Sequence, residues 1–384
     1  MDYKSLNILV EFVEKQNFRG YDPYDTLNSP FNFRIFGKWG PALAIQIQKR
    51  NPVNIRPLLG IKKGFNPKGM GLFLKAYSIL YRKTGEKKYL EKADWLFDWL
   101  NTNYSEGYSG KCWGYNFDWA SPGSYLPAYT PSVVVTSFVV DGIFEYFKVT
   151  QNERAKELIN EAARYIISDI PVTELPEGIS YSYTHLSKGC CYNASLLAAE
   201  ILAKSDFVNG LNNYRDQIKR SVDFVLSKQK PTGEWWYSYD PENGTERKQI
   251  DFHQGFVLVS LANLMELSIG PDAPLENAIR KGLDYYRSDQ FYNSGRSLWR
   301  IPKKWPVEIH NQAQGIITFS RLKRFDSSYG SFAETIAQWT IDNMQSPKGY
   351  FYYRSTPLFM NKIPYMRWSQ AWMFLALAEI LNNE

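Results

Sequence analysis

Three histidines are the residues of this sequence whose scarcity and placement most clearly suggest chemistry. All three lie just before or near the start of a long apolar run. His253 follows Asp251 by two residues in IDFHQGF. His310 follows Glu308 by the same offset in VEIHNQAQG. Because an imidazole exchanges protons near neutral pH, we predict that His253 and His310 face a ligand. His185 lies four residues before its apolar run and is the weaker candidate. For each histidine, the alternative interpretation is a hydrogen-bonded core residue.

A carboxyl group set between aromatic residues is the second such feature. Asp118 lies between Phe117 and Trp119 in GYNFDW. An apolar setting raises a carboxyl pKa, as a general acid requires. Glycoside hydrolysis uses one protonated and one ionised carboxyl group, about 5 Å apart in retaining enzymes and about 6.5–9.5 Å apart in inverting ones. The sequence therefore predicts Asp118 as acid, Asp251 as base or nucleophile, and Asp22 as the reserve carboxylate.

Proton abstraction from a sugar is the alternative chemistry. A uronate lyase or a sugar epimerase would use His253 or Tyr192 as the catalytic base. Asn193 and Arg367 would then neutralise the carboxylate of the sugar. The net charge of +6 and the few histidines favour this alternative, whereas the paired carboxylates favour hydrolysis. A non-catalytic glycan-binding protein of polysaccharide biosynthesis is the third possibility.

Aromatic, cationic and acidic residues near the same run starts are predicted to bind the substrate. Flat rings stack on sugars, and guanidinium groups pair with carboxylates. The two acids of RGYDPYDTLNSP can equally form a turn and cap a helix. The full predicted substrate-binding set is Asp22, Asp25, Trp119, Tyr192, Asn193, Trp299, Glu308, His310, Arg354, Arg367 and Trp368.

Neither a metal nor another cofactor is predicted. The three cysteines, Cys112, Cys190 and Cys191, have no CxxC spacing, and the sequence has no HExxH motif. Buried packing is therefore favoured for them over a zinc site. The sequence also lacks GxSxG and the glycine-rich motifs that cradle phosphates.

Charge and hydropathy restrict the partners. Basic and acidic residues are interleaved, with no Lys/Arg run typical of a nucleic-acid-binding arm. The N-terminus lacks the pattern of a signal peptide, and no apolar run reaches the roughly 18 residues of a membrane span. An odd cysteine count with two adjacent favours a reducing compartment. We expect a cytoplasmic protein whose partner is an oligo- or polysaccharide, with an acidic glycan favoured by the net charge.

The elements that position these residues repeat along the chain. Apolar, small-residue-rich runs begin near residues 67, 131, 189, 253, 311 and 366, a period of about sixty residues. Between them lie segments such as KKYLEKADWLFDWLN, whose apolar residues form one helical stripe. A helix that is apolar all round is buried, whereas a one-faced helix lies at the surface. We therefore predict an all-α (α/α)6 toroid, with residues 1–384 as one domain in which the N-terminal helix pairs with the C-terminal inner helix.

Short aromatic linkers precede most of the inner helices. Segments such as GEWWYSYDP and KGYFYYRSTP alternate in a way typical of short β-hairpins. The N-termini of the inner helices converge at one end of the barrel, and their positive dipole ends point there. The hairpins are therefore predicted to line a funnel at that end, into which His253, His310 and Arg367 project.

The repeat resembles the six-hairpin glycosidase-like superfamily. The motifs GYDPYD, WGYNFDW, DFHQGF and NKIPYMRWSQAWMF resemble those of proteins from capsular and exopolysaccharide gene clusters. This resemblance covers nearly the whole chain and implies the toroid fold and a carbohydrate substrate. It implies no catalytic assignment, because toroid relatives include glycoside hydrolases, polysaccharide lyases, sugar epimerases and two kinds of cyclase. The DxDD motif of one terpenoid-cyclase class and the Cys–Cys–His pattern of lanthipeptide cyclases are missing here.

Overall fold

Helices that alternate between an inner and an outer layer make up most of the computed structural model, which describes residues 4–121 and 124–382. The inner helices are α3 (Pro67–Thr84), α5 (Val133–Thr150), α7 (Tyr192–Asn209), α9 (His253–Leu264), α11 (Ile309–Arg321) and α13 (Trp372–Leu381). The outer helices are α1 (Lys4–Lys15), α4 (Lys87–Thr102), α6 (Glu153–Asp169), α8 (Arg215–Ser227), α10 (Ala273–Asp289) and α12 (Ser328–Met344). This is the (α/α)6 toroid that the repeat predicts, so the predicted fold class is confirmed.

Local sequence signals set the ends of the inner helices. The Asn66 side chain accepts a backbone N–H of the first turn of α3 at 3.1 Å, and Pro67 occupies the first helical position. At the other end of α3, Gly85 has a φ of +70°, the left-handed conformation that closes a helix. Ser132 caps α5 by accepting a backbone N–H at 3.2 Å. Each inner helix therefore begins close to its predicted start.

Burial differs between the two layers as the hydrophobic patterns predict. Inner helices are buried on nearly all sides, and each outer helix buries one stripe. In α4 that stripe consists of Tyr89, Ala93, Leu96, Phe97 and Leu100. The apolar side chains of both layers form one continuous cluster. Neighbouring inner helices approach closely where glycines face each other, since a Cβ on Gly142 of α5 would lie 2.3 Å from the Gly71 carbonyl oxygen of α3.

Buried charges within the barrel depart from the expectation that the inner helices are apolar all round. Lys75 of α3 and Lys204 of α7 both contact Asp141 of α5, at 2.7 and 3.0 Å. Lys204 also donates to Glu200 at 3.1 Å. Burial raises the pKa of Asp141, but Lys204 and Lys75 outweigh it and lower that pKa overall. The inner helices can carry these charges because each one has a partner of opposite sign.

Short antiparallel strands precede the inner helices, as the aromatic linkers predict. One hairpin pairs β1 (Trp119–Ser121) with β2 (Ser124–Leu126), and another pairs β3 (Val172–Leu175) with β4 (Gly178–Tyr181). A three-stranded sheet has the order β5 (Cys190–Cys191), β6 (Ser238–Asp240) and β7 (Thr245–Arg247). A second one has the order β10 (Met360–Asn361), β9 (Arg354–Ser355) and β8 (Val307–Glu308). The linker 295–305 forms only isolated bridges at its described residues.

The two ends of the chain meet and close the ring of helices. Helix α1 packs against α13, the pairing expected from the sequence. Ser5 of α1 donates to the Gln345 side chain at 2.7 Å, and the Gln345 amide donates back to the Ser5 carbonyl oxygen at 3.0 Å. Tyr77 of α3 donates to Glu14 of α1 at 2.8 Å. No helix within the described residues has both the length and the apolarity needed to cross a lipid bilayer.

Residues 26–65, which we call the covering segment, lie over the hairpin end of the barrel. The segment contains a further helix, α2 (Gly40–Arg50), that packs against β1. The Asn361 side chain of β10 donates to the Asn51 carbonyl oxygen just after α2, at 3.1 Å. The sequence predicts only the turn before this segment. Helix α2 is missing from the sequence-based expectation because it belongs to no repeat.

Candidate active site

The N-termini of four inner helices bring polar side chains together at the hairpin end of the barrel. Lys68 is the second residue of α3, His253 the first of α9 and His310 the second of α11. Arg367 and Trp368 lie in the π-helical turn Met366–Ala371 that leads into α13. The expected convergence of inner-helix N-termini is therefore present, and it assembles residues that are far apart in the sequence.

His310 is the most deeply buried of these groups. It is 1% exposed, and neither ring nitrogen has a hydrogen-bond partner among the described residues. Its ring stacks on Phe252 at 4.2 Å and contacts Trp372 at 4.5 Å and Trp368 at 4.7 Å. Burial, followed by the positive charges of Lys68 and other cations, holds the His310 pKa well below 6.5. The imidazole is therefore neutral at pH 7, with one nitrogen free to accept a proton and the other free to donate one.

His253 is the more accessible imidazole, with a side chain 19% exposed, and Asp251 orients it. Its Nδ1 lies 2.5 Å from Asp251 Oδ1, while Gln249 and Arg300 contact the other carboxylate oxygen at 2.9 and 3.2 Å. Burial alone raises the Asp251 pKa, but His253 and Arg300 outweigh it and lower the pKa to about 2. Because the carboxylate is ionised, Nδ1 must carry the shared proton. This leaves Nε2 as the acceptor, the orientation that an activated general base needs.

Both imidazoles flank a single aromatic ring. The Phe252 ring lies 4.3 Å from the His253 ring and 4.2 Å from the His310 ring, with small interplanar angles on both sides. Phe256, one turn into α9, lies 5.8 Å from each imidazole. The two histidines therefore form a compact pair, and that they face a ligand stays a prediction. His185 lies apart from them, with its ring 5.1 Å from Tyr108.

Arg367 is held by a carboxylate from the other end of the chain. Its Nε and Nη2 donate to the two oxygens of Asp22 at 2.6 and 2.8 Å, a bidentate pair. Its third nitrogen, Nη1, is buried and has no hydrogen-bond partner within residues 4–121 and 124–382. The guanidinium also lies 4.9 Å from the ring centres of Tyr115 and Trp368. Arg367 is thus fixed in position and has hydrogen-bond donors left for a ligand.

Glu308 is fixed in a similar way by partners from the last repeat. Arg354 Nε donates to one Glu308 oxygen at 2.7 Å, and the Trp368 indole N–H donates to the other at 2.8 Å. The predicted substrate-binding residues Glu308, Arg354 and Trp368 therefore bind one another. Their direct contacts hold the Trp368 ring against His310.

Tyr24 and Lys49 are site residues that the sequence analysis missed. The Lys49 ammonium contacts the Tyr24 hydroxyl and lies 5.7 Å from the Trp368 ring centre. Burial, together with the nearby Arg354, lowers the Lys49 pKa to about 8 despite the opposing effect of Glu308. Burial also raises the Tyr24 pKa. A lysine that titrates near neutral pH is a third group able to exchange a proton here. No motif marked it, because α2 lies outside the repeats.

Lys68 is another missed residue at the centre of the site. It is 3% exposed, and its ammonium lies 4.1 Å from the Phe138 ring centre and 5.3 Å from that of Trp372. Burial and then the charge of Arg367 bring the Lys68 pKa well below 10.5. Its position one residue into an apolar inner helix is the signal that could have identified it.

Asp118 and Trp119 lie in the β1–β2 hairpin and not in the histidine cluster. The Asp118 carboxylate is half-buried and accepts hydrogen bonds from the Tyr125 hydroxyl and from the Ala128 backbone N–H, the latter at 2.7 Å. Trp119 pairs with Leu126 across the hairpin. The predicted catalytic pair is therefore held by separate sets of partners among the described residues, with Asp118 bonded within its hairpin.

Asp25 supports the turn that presents Asp22. Its carboxylate accepts from Arg56 at 2.6 Å and from the Asp22 backbone N–H at 2.9 Å. Burial raises the Asp25 pKa to about 6 against the opposing effect of Arg56. The turn-forming alternative considered for these two acids therefore describes Asp25 well, whereas Asp22 reaches the site through its pair with Arg367.

Tyr192 and Asn193, the two predicted site residues of α7, bind different partners. The Tyr192 hydroxyl donates to Glu246, and its ring contacts Phe224 of the outer helix α8 at 5.8 Å, so this tyrosine is directed to the outer layer. Asn193 accepts from the Cys191 thiol at 3.0 Å. Burial raises the Cys191 pKa, so this sulfur is a thiol and not a thiolate nucleophile. Asn193 is 3% exposed and is held beside Cys191 by this hydrogen bond.

Trp299 lies at the edge of the site and is half-buried among cations. Its ring centre is 5.4 Å from the Arg300 guanidinium, 5.7 Å from the Lys303 ammonium and 5.9 Å from the Arg354 guanidinium. A partly exposed indole beside three cations suits a sugar ring that bears a negative charge. The described residues contain no cluster of three His, Cys, Asp or Glu side chains suited to a metal ion.

Comparison with known proteins identifies the fold but no family. No family model matches the chain, and no curated protein does. A solved cellobiose 2-epimerase from Bacillus thermoamylovorans is 15% identical over 82% of this chain and 88% of its own, with a TM-score of 0.65. A possible GH105 member from Salmonella enterica is 15% identical over 100% and 95%, with a TM-score of 0.68. A GH76 α-mannanase from Bacteroides thetaiotaomicron is 12% identical over 82% and 86%, with a TM-score of 0.58.

These similarities concern the toroid and not the chemistry of any one relative. They show the toroid fold alone, and the resemblance to the six-hairpin glycosidase-like superfamily that the repeat suggests stays a prediction. The resemblance to proteins of capsular gene clusters stays a prediction. What the site itself offers is an Asp–His dyad, a neutral buried imidazole and a fixed guanidinium with free donors.

Proposed function

We propose that this protein is a carbohydrate-active enzyme that transfers a proton at a sugar carbon, as a sugar epimerase or isomerase does. The observation that carries the proposal is the pair of imidazoles at the inner-helix N-termini. His253 is oriented by the ionised Asp251, and His310 is neutral with both nitrogens unpartnered. Solved structures of the same fold include a cellobiose 2-epimerase and a D-mannose isomerase, which is consistent with this class.

His253 is the general base in this mechanism. Its Nε2 takes a proton from the carbon next to the sugar carbonyl, while Asp251 stabilises the imidazolium that forms. Negative charge then develops on the carbonyl oxygen, and the free Nη1 of Arg367 is a donor suited to it. In an epimerase, His310, about one Phe252 ring away from His253, takes up a proton from solvent and donates it to the other face of the sugar carbon, and His253 releases the abstracted proton to solvent.

Access to His310 needs a local movement. Both of its nitrogens are buried, and the cavity beside Asp22 and Arg367 has a volume of about 10 Å³, space for a single water. Lys49 of the covering segment contacts the Tyr24 hydroxyl, and both residues lie against Trp368, whose ring contacts His310. We propose that this segment moves away when a saccharide enters and that His253 meets the substrate first.

Hydrolysis is the second candidate, and the state of the carboxylates makes it the weaker one. A glycosidase needs one protonated carboxyl group beside an ionised one. Asp251 is ionised with a pKa of about 2, and Asp22 and Glu308 are each paired with an arginine. In the part of the chain that the structure describes, Asp118 is the one predicted acid without a cationic partner, and solved structures of the same fold include a GH76 α-mannanase. These two facts keep Asp118 as the candidate acid for a hydrolase.

The proposed substrate is an oligo- or polysaccharide, with an acidic one favoured. Arg300, Lys303 and Arg354 surround the half-buried Trp299, and the chain has a net charge of +6. We also propose the cellular setting that the resemblance implies, a cytoplasmic enzyme of capsular or exopolysaccharide biosynthesis. A uronate lyase would use the same base and the same arginine, so the assay must separate lyase from epimerase.

The decisive experiment incubates the protein in D₂O with a panel of neutral and acidic reducing oligosaccharides and follows products by NMR. An epimerase or isomerase incorporates deuterium at the reacting carbon without cleaving the chain. A lyase forms an unsaturated uronate that absorbs in the ultraviolet, and a hydrolase forms new reducing ends without deuterium on carbon. We expect deuterium incorporation without cleavage.

Three variants assign the roles. His253→Asn removes the base and should lower kcat about 10²- to 10⁴-fold. Asp251→Asn leaves the imidazole but removes its carboxylate partner. We therefore expect kcat to fall about 10- to 100-fold with a small change in KM. His185→Asn, at the histidine outside the site, is the matched control and should retain activity. Loss of turnover in both Asp118→Asn and Asp251→Asn, with full turnover in His253→Asn, would instead establish the hydrolase.

A further inference from the structure

The covering segment has a charge composition unlike the rest of the chain. Residues 26–65 contain seven basic residues and no acidic one, whereas the whole chain has a net charge of only +6, so the remainder is close to neutral. Arg34, Lys38, Arg50, Lys62 and Lys63 of this segment are exposed. None of these five cations forms an ion pair with an acid of the described residues. Their charge is therefore uncompensated on one side of the molecule.

The same segment exposes large apolar side chains. Trp39, Leu43 and Ile47 lie four residues apart on the outward face of α2, and Ile47 is 68% exposed. Ile35 and Phe36, in the 3₁₀ turn before α2, are also exposed. A helix normally buries such a stripe, and a contiguous exposed one marks an interaction site.

The two properties coincide on one face, which we call the basic apolar face (Ile35, Phe36, Trp39, Leu43 and Ile47 with the exposed cations around them). Helix α2 buries its opposite side, including Ala42, Ile45 and Gln48, against the protein. The β9–β10 hairpin, tied to the end of α2 through Asn361, presents Leu358, 92% exposed, beside it.

We propose that the basic apolar face docks on the surface of a membrane that contains anionic lipid. An amphipathic helix with Trp, Leu and Ile on one face and Lys or Arg at its borders lies in the plane of the bilayer interface, where apolar side chains enter the acyl boundary and cations contact headgroups. The site combines both requirements, an apolar stripe and uncompensated positive charge. The proposal does not depend on the proposed catalytic function.

The positive charge of the basic apolar face favours an anionic membrane over other partners. In a symmetric dimer through this face, two surfaces of the same positive sign would meet, which opposes a second copy of this chain. Single-stranded nucleic acid is bound by aromatic stacking along a basic groove, whereas three of the five apolar residues of this face, Ile35, Leu43 and Ile47, are aliphatic. An anionic bilayer satisfies the apolar and the cationic groups together.

Docking would also orient the candidate site. The side of α2 that faces the protein carries Lys49, which contacts Tyr24 and lies near Trp368, while the opposite side carries Leu43 and Ile47. A docked α2 would therefore bring the hairpin end of the barrel towards the membrane. A saccharide attached to a membrane anchor would meet the site in that orientation.

The test is flotation of the full chain with vesicles of phosphatidylcholine alone or with 30% phosphatidylglycerol, at low and high salt. We expect binding to the anionic vesicles that weakens as salt rises. Lys38→Gln with Arg50→Gln should weaken partitioning about 25-fold, since each basic residue near an anionic surface accounts for about a fivefold change. Leu43→Gln with Ile47→Gln should weaken it at least about 10-fold.

Matched controls lie at the other end of the barrel. Lys83→Gln with Lys87→Gln removes two exposed lysines, and Leu211→Gln removes an exposed leucine. These variants should float as the unmodified protein does, with unchanged circular dichroism for all variants. The proposal is overturned if the protein ignores anionic vesicles, or if the controls weaken binding as much as the α2 variants do. It is also overturned if Leu43→Gln with Ile47→Gln abolishes a dimer in sedimentation while vesicle binding is absent, or if the protein binds single-stranded RNA and no vesicles.

Discussion

His310 should make folding stability depend on pH in a way that needs no substrate to detect. In the folded protein its pKa lies well below 6.5 because of burial and nearby cations, led by Lys68, whereas an unfolded histidine titrates at about 6.5. Below that pH the unfolded chain binds a proton that the folded chain does not. The contribution is therefore fully present above pH 6.5 and is lost as the pH falls.

The magnitude follows from the linkage relation. If the folded imidazole stays neutral down to pH 5, its unfolded counterpart gains about 2 kcal/mol from protonation between pH 7 and pH 5. Asp25 acts in the opposite direction, since burial raises its pKa to about 6 and acid then favours the folded state. The pH dependence of the free energy of unfolding therefore combines the opposing effects of His310 and Asp25. A comparison with His310→Phe isolates the histidine, because Asp25 is present in both proteins.

The assay is urea unfolding of the original protein and of His310→Phe at pH 7, 6 and 5, followed by tryptophan fluorescence and circular dichroism together. The free energy of unfolding of the variant relative to the original should rise by about 2 kcal/mol from pH 7 to pH 5. Ile309→Val, a buried change without a titrating group, is the control and should give a difference that does not vary with pH. A pH-independent difference for His310→Phe would refute the reasoning. The three histidines also give few imidazole NMR signals, and the one missing in His310→Phe should titrate in the original protein with a pKa well below 6.5.

Two further predictions concern contacts that hold the site and the barrel. Asp22→Asn leaves the buried Arg367 without its anionic partner and should lower the free energy of unfolding by about 3–5 kcal/mol, measured by urea unfolding; a loss below 1 kcal/mol would mean that the pair is unimportant. Gly142→Ala places a Cβ 2.3 Å from the Gly71 carbonyl oxygen and should cost about 1–3 kcal/mol. The same change at Gly330 of α12, where the closest atom is 3.6 Å away, should stabilise by up to about 1 kcal/mol, and equal effects at the two glycines would contradict the close approach of α3 and α5.

Much of the fold could be predicted because each repeat consists of helices with local hydrophobic patterns. The apolar run after Pro67 and the one-faced segment around Tyr89 each specify the burial of their own helix. Six such pairs have few ways to bury their apolar faces other than a ring. Helix α2 escaped prediction because it buries few residues and exposes Leu43 and Ile47, so no local pattern marks it as part of the barrel.

The sequence could predict where the candidate site lies and which histidines belong to it. It predicted less well which side chains in the site pair with one another. The shared offset of Asp251 from His253 appears in the sequence, and the two groups do form a dyad. The same offset of Glu308 from His310 does not form one, since Glu308 binds Arg354 and Trp368 instead. Spacing placed both acids near their histidines, but the direction of each side chain depends on the neighbouring repeat.

The sequence by itself determined the toroid, the end of the barrel where the inner helices begin, and the residues that stand there, because helix periodicity and capping are local properties of the chain. Only the tertiary structure decided which of those residues meet. Asp22 and Arg367 are separated by most of the chain and pair because the ring closes. Lys49 titrates near neutral pH because α2 lies over the funnel and buries its ammonium beside Arg354. Such pairings arise from long-range packing, in which the partner of a charged group is chosen by geometry and not by distance along the sequence.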